Sequence, residues 1–283
     1  METKKETKME TKKETKMETK KNVIIIDGSY FVFFRYYAVI SWWKIAKKDP
    51  LPEKPFESVE FAEAFKKLFI KKIKEIPIKL KIKNPIIIVG KDCPRKDIWR
   101  NEFIENYKGT RDNSKFHGQP GFKMAYEHLF EEAGVKYILD HPKLEGDDCI
   151  AIATNHLKNT VENIKITIIT ADHDYMQLID NETDIYTLKY KPLRTKKNST
   201  YNSECDLFCK IITGDKSDNI GGVFKKCGKV TALKLWNDKK SLLIKLKKDN
   251  CMNIYERNKK IIDFKEIPKD LLDEFLKTNY FKI

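Results

Sequence analysis

The chain has 283 residues, 41% of them hydrophobic and 35% charged, enough for one large α/β domain or a main domain with an appendage. No apolar run approaches the roughly 18 residues of a membrane span, and nothing apolar follows the charged N-terminus until Val23. A membrane span and a secretory signal are therefore not expected, and the protein is read as intracellular. The formal net charge of +14 attracts polyanions such as nucleic acid, but charge alone does not decide the partner.

Residues 1–21 read METKKETK twice and then METKK. Eight lysines against five glutamates give this tail +3 and leave +11 on the body. With almost nothing apolar to bury, it is expected to be a disordered charged tail. From Val23 the pattern becomes short β-branched runs separated by helical segments. Strands are expected at Val23–Ile26, Ile86–Val89, Val135–Leu139, Ile164–Thr170 and Asp184–Leu188. Helical spacing is found at Val59–Ile76, Gly121–Ala133 and Asp148–Leu157. Such alternation indicates an α/β fold, a mainly parallel sheet flanked by helices. After Leu188 comes a lysine-rich connection and then helical pieces. The expected organisation is a core over 22–200 and a helical region over 201–283.

Ligands of open parallel sheets bind beyond the carboxyl ends of the strands. Here Asp27 follows the first expected strand and Asp92 the second. Glu145, Asp147 and Asp148 stand where a helix begins after the third, and Asp172 and Asp174 follow the fourth. Any one of these is an ordinary turn or helix-cap residue. Converging on one sheet edge, they repel one another unless cations compensate. Asp215 and Asp218, in TGDKSDNIGGV, bring the acids to nine. Oxygen donors without His or Cys suit Mg²⁺ or Mn²⁺, and nine acids suffice for two ions acting on a phosphodiester. The six cysteines lack paired zinc spacing and are read as free thiols, and the five histidines are scattered.

The segments IDGSYF, NYKGTR, EGDD, TADHD and TGDKSDNIGGV, in this order, resemble the 5′-nuclease superfamily, from about Val23 to Leu235. The stretch DCPRKDIWRNEFIENYKGTRD is most similar to its bacteriophage-type members, which are related to the 5′-nuclease domain of bacterial DNA polymerase I. The resemblance implies a PIN-like sheet and 5′→3′ exonuclease or flap endonuclease activity at DNA 5′ ends, flaps and junctions. Asp27, Asp92, Glu145, Asp147, Asp148 and Asp172 match the family's tight-metal acids. Asp174, Asp215 and Asp218 match its more distant set. Lys108 and Arg111 match cations that reach the scissile phosphate, and Tyr107 an aromatic on which a terminal base stacks. An arch over about 105–127 is expected to be mobile until a 5′ strand threads it.

The resemblance also implies a helix–turn–helix-type hairpin over about 213–236, whose turn meets duplex DNA and a potassium ion. Gly222, Lys225, Lys226, Gly228, Lys229 and Thr231 are the residues expected at DNA. Lys226 stands where a glycine is usual and one residue is extra, which leaves K⁺ binding open. Alternatives are a catalytically weak DNA-binding scaffold and a ribonuclease of the related PIN class, with an RNA–DNA hybrid also compatible. A monomer is expected, with any replication polymerase a separate chain.

Overall fold

The computed structural model describes residues 20–47, 50–111, 116–279 and 283. Residues 1–19 of the repeat and 112–115 of the expected arch lie outside the described residues.

The chain opens with β1 (Lys21–Asp27), α1 (Gly28–Ala46), α2 (Val59–Lys79) and β2 (Ile86–Gly90). Next come α3 (Gln119–Met124), a π-helical turn (Ala125–Leu129), α4 (Phe130–Glu132) and β3 (Tyr137–Leu139). Then follow α5 (Gly146–Thr160), β4 (Ile164–Ile169) and β5 (Thr183–Tyr186). The five strands form one parallel sheet in the order β3-β2-β1-β4-β5. Along β1, Val23 and Ile25 face one core and Ile24 and Ile26 the other, all fully buried. A β-branched run of this kind suits a strand covered on both sides. Strand order reverses direction between β1 and β4, so the crevice for a ligand opens at the ends of these two strands.

One face is covered by α1, α2 and the α3–α4 run, the other by α5. Helix α1 is additional to the helices expected from the sequence. Its buried side carries Phe31, Tyr36 and Trp43, but Tyr37, Trp42 and Ile45 are exposed. Apolar residues all round leave no 3.6-residue stripe to read. Helix α2 runs past Pro77, beyond the stop expected at Ile76. The expected arch is tied down at its far end, where the Phe116 ring packs on Phe33 and Tyr36 and leads into α3.

The C-terminal helices are α6 (Ser203–Thr213), α7 (Lys229–Asn237), α8 (Lys239–Lys248), α9 (Met252–Ile262) and α10 (Lys269–Thr278). Helices α6 to α8 share a small core around Phe208, Ile212, Val223 and Leu246. The last helix departs from the expected division at residue 200. Leu271 and Phe275 of α10 pack in the sheet core with Val23 and Ile166. The α6–α7 connection runs from Gly214 to Gly228, far longer than the roughly 3–4 residues of a simple helix–turn–helix. Gly214 has φ 73°, and a Cβ there would meet the Ile220 carbonyl at 2.4 Å. Lys226 also lies in the left-handed region, at φ 54°, a backbone conformation that favours glycine.

Candidate metal centre

One open cleft beyond the strand ends is lined by Asp27, Asp92, Glu145, Asp147 and Asp172, with Lys108 and Arg111 on its wall. Asp27 ends β1 and caps α1. Its Oδ1 accepts from the Tyr30 amide at 3.0 Å and its Oδ2 from the Thr170 hydroxyl at 2.9 Å. Asp92, just past β2, accepts from the Gly146 amide at the start of α5 at 2.6 Å and from the Ser29 hydroxyl at the start of α1. Asp172 caps the short helix His173–Leu178 and accepts from the Asp174 amide at 2.9 Å.

Crowding shows in the electrostatics. Burial, with the charge of Asp92 next, pushes the Asp27 carboxyl up to about 7. Burial and the charges of Asp148 and Glu145 hold Asp147 well above the usual carboxylate range. No lysine or arginine forms an ion pair with Asp27 or Asp147 among the described residues. All-oxygen donors crowded this closely, two of them without an ion-pair partner among these residues, fit a hard divalent cation.

Asp174, Asp215 and Asp218 form a second group, each offering an oxygen within 4.8 Å of the others. It already holds protein cations. Lys210 pairs with Asp174 and, at 2.7 Å, with Asp215. Burial alone would raise Asp215, but the bond and charge of Lys210 bring it down to about 2. Arg111 pairs with Asp218. Lys108 connects the two groups, with its Nζ 2.5 Å from Glu145 and 3.8 Å from Asp218.

This geometry corrects the expected role of Tyr107 and gives Asp148 a partner that was not expected. Tyr107 is only 5% exposed and presents no ring face for a base to stack on. Its hydroxyl donates to Glu145 at 3.0 Å and Asp218 at 3.3 Å. Asp148 is fully buried and already accepts four bonds, two from Arg100 at 2.6 and 2.7 Å, one from the Trp99 indole at 2.9 Å and one from the Glu145 amide at 3.1 Å. Three of these bonds fall on Oδ2 and one on Oδ1, so Arg100 ties Asp148 to the start of α5 while Asp148, Asp147 and Glu145 still offer oxygens within 4.8 Å of one another. The six expected DNA-facing residues, four in the α6–α7 connection and two in the first turn of α7, are all exposed, beside buried Val223 and Phe224.

Residues 22–216 match the family described as 5′-3′ exonuclease, N-terminal resolvase-like domain. The chain belongs to the 5′-3′ exonuclease family. A 5′-3′ exonuclease of Buchnera aphidicola subsp. Acyrthosiphon pisum is 30% identical over 247 residues, covering 84% of this chain and 75% of that one. Ribonuclease H of Enterobacteria phage T4 is 27% identical over 218 residues, 69% of each chain. DNA polymerase I of Lactococcus lactis subsp. cremoris is 31% identical over 159 residues, but only 17% of its length is covered. In fold, this 5′-3′ exonuclease family member is similar to the T5 D15 protein co-crystallised with metal ions, with a TM-score of 0.63 at 17% identity over 91% of this chain and 98% of that one.

Arg100, Lys210, Ser29 and Thr170 are site residues of this family member that sequence reasoning did not single out. Each acts by supporting an acid from a distant segment, and no local spacing marks such a partner. Lys108 stands apart as the cation shared by both acid groups. Lys108→Ala is expected to lower the single-turnover cleavage rate by roughly 10²–10³-fold. Arg111→Ala, whose side chain is 43% exposed, should cost less. Equal, small losses for both would remove Lys108 from the reaction.

Proposed function

We propose that this protein is a divalent-metal-dependent 5′ nuclease that hydrolyses DNA phosphodiester bonds near 5′ ends, flaps and junctions. The observation that carries the reading is the single cleft uniting five acids from four strand ends with Lys108 and Arg111. Asp27, Asp92, Glu145, Asp147 and Asp172 would hold Mg²⁺ or Mn²⁺. Asp174, Asp215 and Asp218 would serve a second, weaker position in competition with Lys210. When bound, such ions activate water at neutral pH and neutralise charge on the phosphate. Lys108 and Arg111 stand where they can pair with the phosphate's non-bridging oxygens and stabilise charge that grows there in the transition state. A phosphate arriving there would take over the cationic contacts that Glu145 and Asp218 now hold, freeing these carboxylates to face metal. The exposed residues from Gly222 to Thr231 would grip the duplex through its phosphates.

The test is a labelled 5′-flap duplex incubated with Mg²⁺, with chelator, and with the Asp172→Asn variant. Cleavage is expected only with metal and wild-type protein. Binding without cleavage under both Mg²⁺ and Mn²⁺ would favour a scaffold instead. The likeness to a phage ribonuclease H supports a second substrate, the RNA strand of an RNA–DNA hybrid. A hybrid with labelled RNA, run beside the flap, separates the two.

A further inference from the structure

The ionic links across the site use carboxylates that a metal also needs. Lys108 binds Glu145 and Asp218, and Lys210 binds Asp174 and Asp215. Contacts of that kind weaken as ions enter, so the acid-bearing segments need supports that spend no carboxylate. The end of α9 and the residues after it, beyond the matched 22–216 region, provide several.

Asn258 is fully buried in α9. Its side-chain amide donates to the Ile211 carbonyl at 3.1 Å and the Gly221 carbonyl at 2.8 Å. Ile211 lies in the last turn of α6, where carbonyls lack helical partners, and Gly221 follows the Asp215–Ile220 bridge. One side chain thus clamps both ends of the loop that carries Asp215 and Asp218. The carbonyls of Ile261 and Ile262 are likewise orphans, at the end of α9. Arg100 Nε donates to Ile261 at 2.8 Å, and the Gln177 amide donates to Ile262 at 2.9 Å. Gln177 in turn accepts from the Phe264 amide at 3.1 Å. Arg100 is the residue that holds Asp148 and Glu145, and Gln177 belongs to the helix that carries Asp174. Beneath these bonds, Ile261 and Ile262 pack with Ile98, Tyr107, Ile211 and Ile220 in one buried cluster.

We infer that Asn258–Phe264 is a positioning segment of the metal centre: it holds the Arg100, Asp174 and Asp218 segments in register while touching neither metal nor DNA. Buried hydrogen bonds of this sort fix geometry because breaking one strands a polar group in the interior. The kinetic part of the inference rests on the proposed nuclease function, and the metal-binding part does not.

The experiment uses the full chain with Asn258→Leu, Gln177→Met and Gln177→Glu. Mn²⁺ binding without DNA is read by electron paramagnetic resonance of free Mn²⁺. Next, kcat and KM are measured on a 5′-flap duplex, with thermal melts and circular dichroism as folding controls. Supporting contacts around metal ligands typically matter by 10–100-fold, so Asn258→Leu and Gln177→Met are expected to weaken Mn²⁺ binding and lower kcat by roughly 10-fold. KM should stay within about twofold, because the duplex grip lies elsewhere. Gln177→Glu keeps the acceptor for Phe264 but sets a carboxylate against the Ile262 carbonyl, and should lower kcat at least as much as Gln177→Met. Folded variants with wild-type Mn²⁺ affinity and kcat would overturn the inference. So would a rise in KM alone, which would assign the segment to the DNA grip. Should Asn258→Leu fail to fold, the two Gln177 variants decide the matter. If wild-type protein binds Mn²⁺ but cleaves no DNA, the nuclease reading fails and the Mn²⁺ comparison still tests the segment.

Discussion

Asp27→Asn protein is expected to lose flap cleavage by roughly 10³-fold or more, the loss of several kcal/mol of metal-borne stabilisation. It should also melt above wild type in metal-free buffer at pH 8. The two effects share a cause, since burial and the charge of Asp92 raise Asp27 to about 7 in the folded chain. Below about pH 4 both folded and unfolded chains hold this proton, and Asp27 contributes no penalty. Between about pH 4 and pH 7 the unfolded chain releases it while the folded chain keeps it, so stability falls as pH rises. Above about pH 7 the full penalty remains, up to about 4 kcal/mol by linkage. Asparagine retains the cap on the Tyr30 amide and carries no charge. Its advantage should therefore vanish in acid and shrink when Mg²⁺ or Mn²⁺ is added to both proteins. Identical melting of the two at pH 8 without metal would show that the acids do not repel as the geometry requires.

Arg100→Leu should give the largest loss of stability of any substitution near the site. The guanidinium is 2% exposed and makes ion pairs to Asp148 at 2.6 Å and Glu145 at 2.9 Å. Removing it leaves the fully buried Asp148 charged with only the Trp99 indole and the Glu145 amide as donors. Breaking a buried pair from one side costs about 3–5 kcal/mol, because the remaining charge is uncompensated. Arg100→Leu with Asp148→Asn should recover more than half of that loss, since the asparagine stays hydrogen-bonded and uncharged. Urea denaturation of wild type, the single variant and the double variant measures both quantities. A single-variant loss under about 1 kcal/mol would mean that Asp148 finds water or another cation, and the clamp would then be incidental.

Much of the site was legible because its acids obey a one-dimensional rule. Asp27, Asp92 and Asp172 stand just past β-branched runs, Glu145 and Asp147 follow the third strand after a short loop, and parallel strands necessarily end on the same side. Hidden from that reading was the split of the nine acids. Asp148 and Asp147 are neighbours in one motif, yet one is bonded to buried Arg100 and Trp99 and the other lines the cleft. Tyr107 was similarly ambiguous, because an aromatic beside a cation reads alike whether its ring meets a base or a core.

Elsewhere the pattern itself was silent. Helix α1 is apolar on most of its sides and leaves no stripe, and the final helix shows an amphipathic face without saying which core it joins. From sequence alone came the parallel sheet and the edge on which the acids gather, both set by local periodicity and strand direction, and the cations of NYKGTR, which came from the family resemblance. Only the tertiary structure decided which acids line the cleft, that Lys210 and Arg100 pair with others, and that α10 returns to the sheet. Those outcomes depend on a bond between residues as far apart as Arg100 and Ile261, and on one core that holds both Val23 and Leu271, and no local spacing encodes such partners.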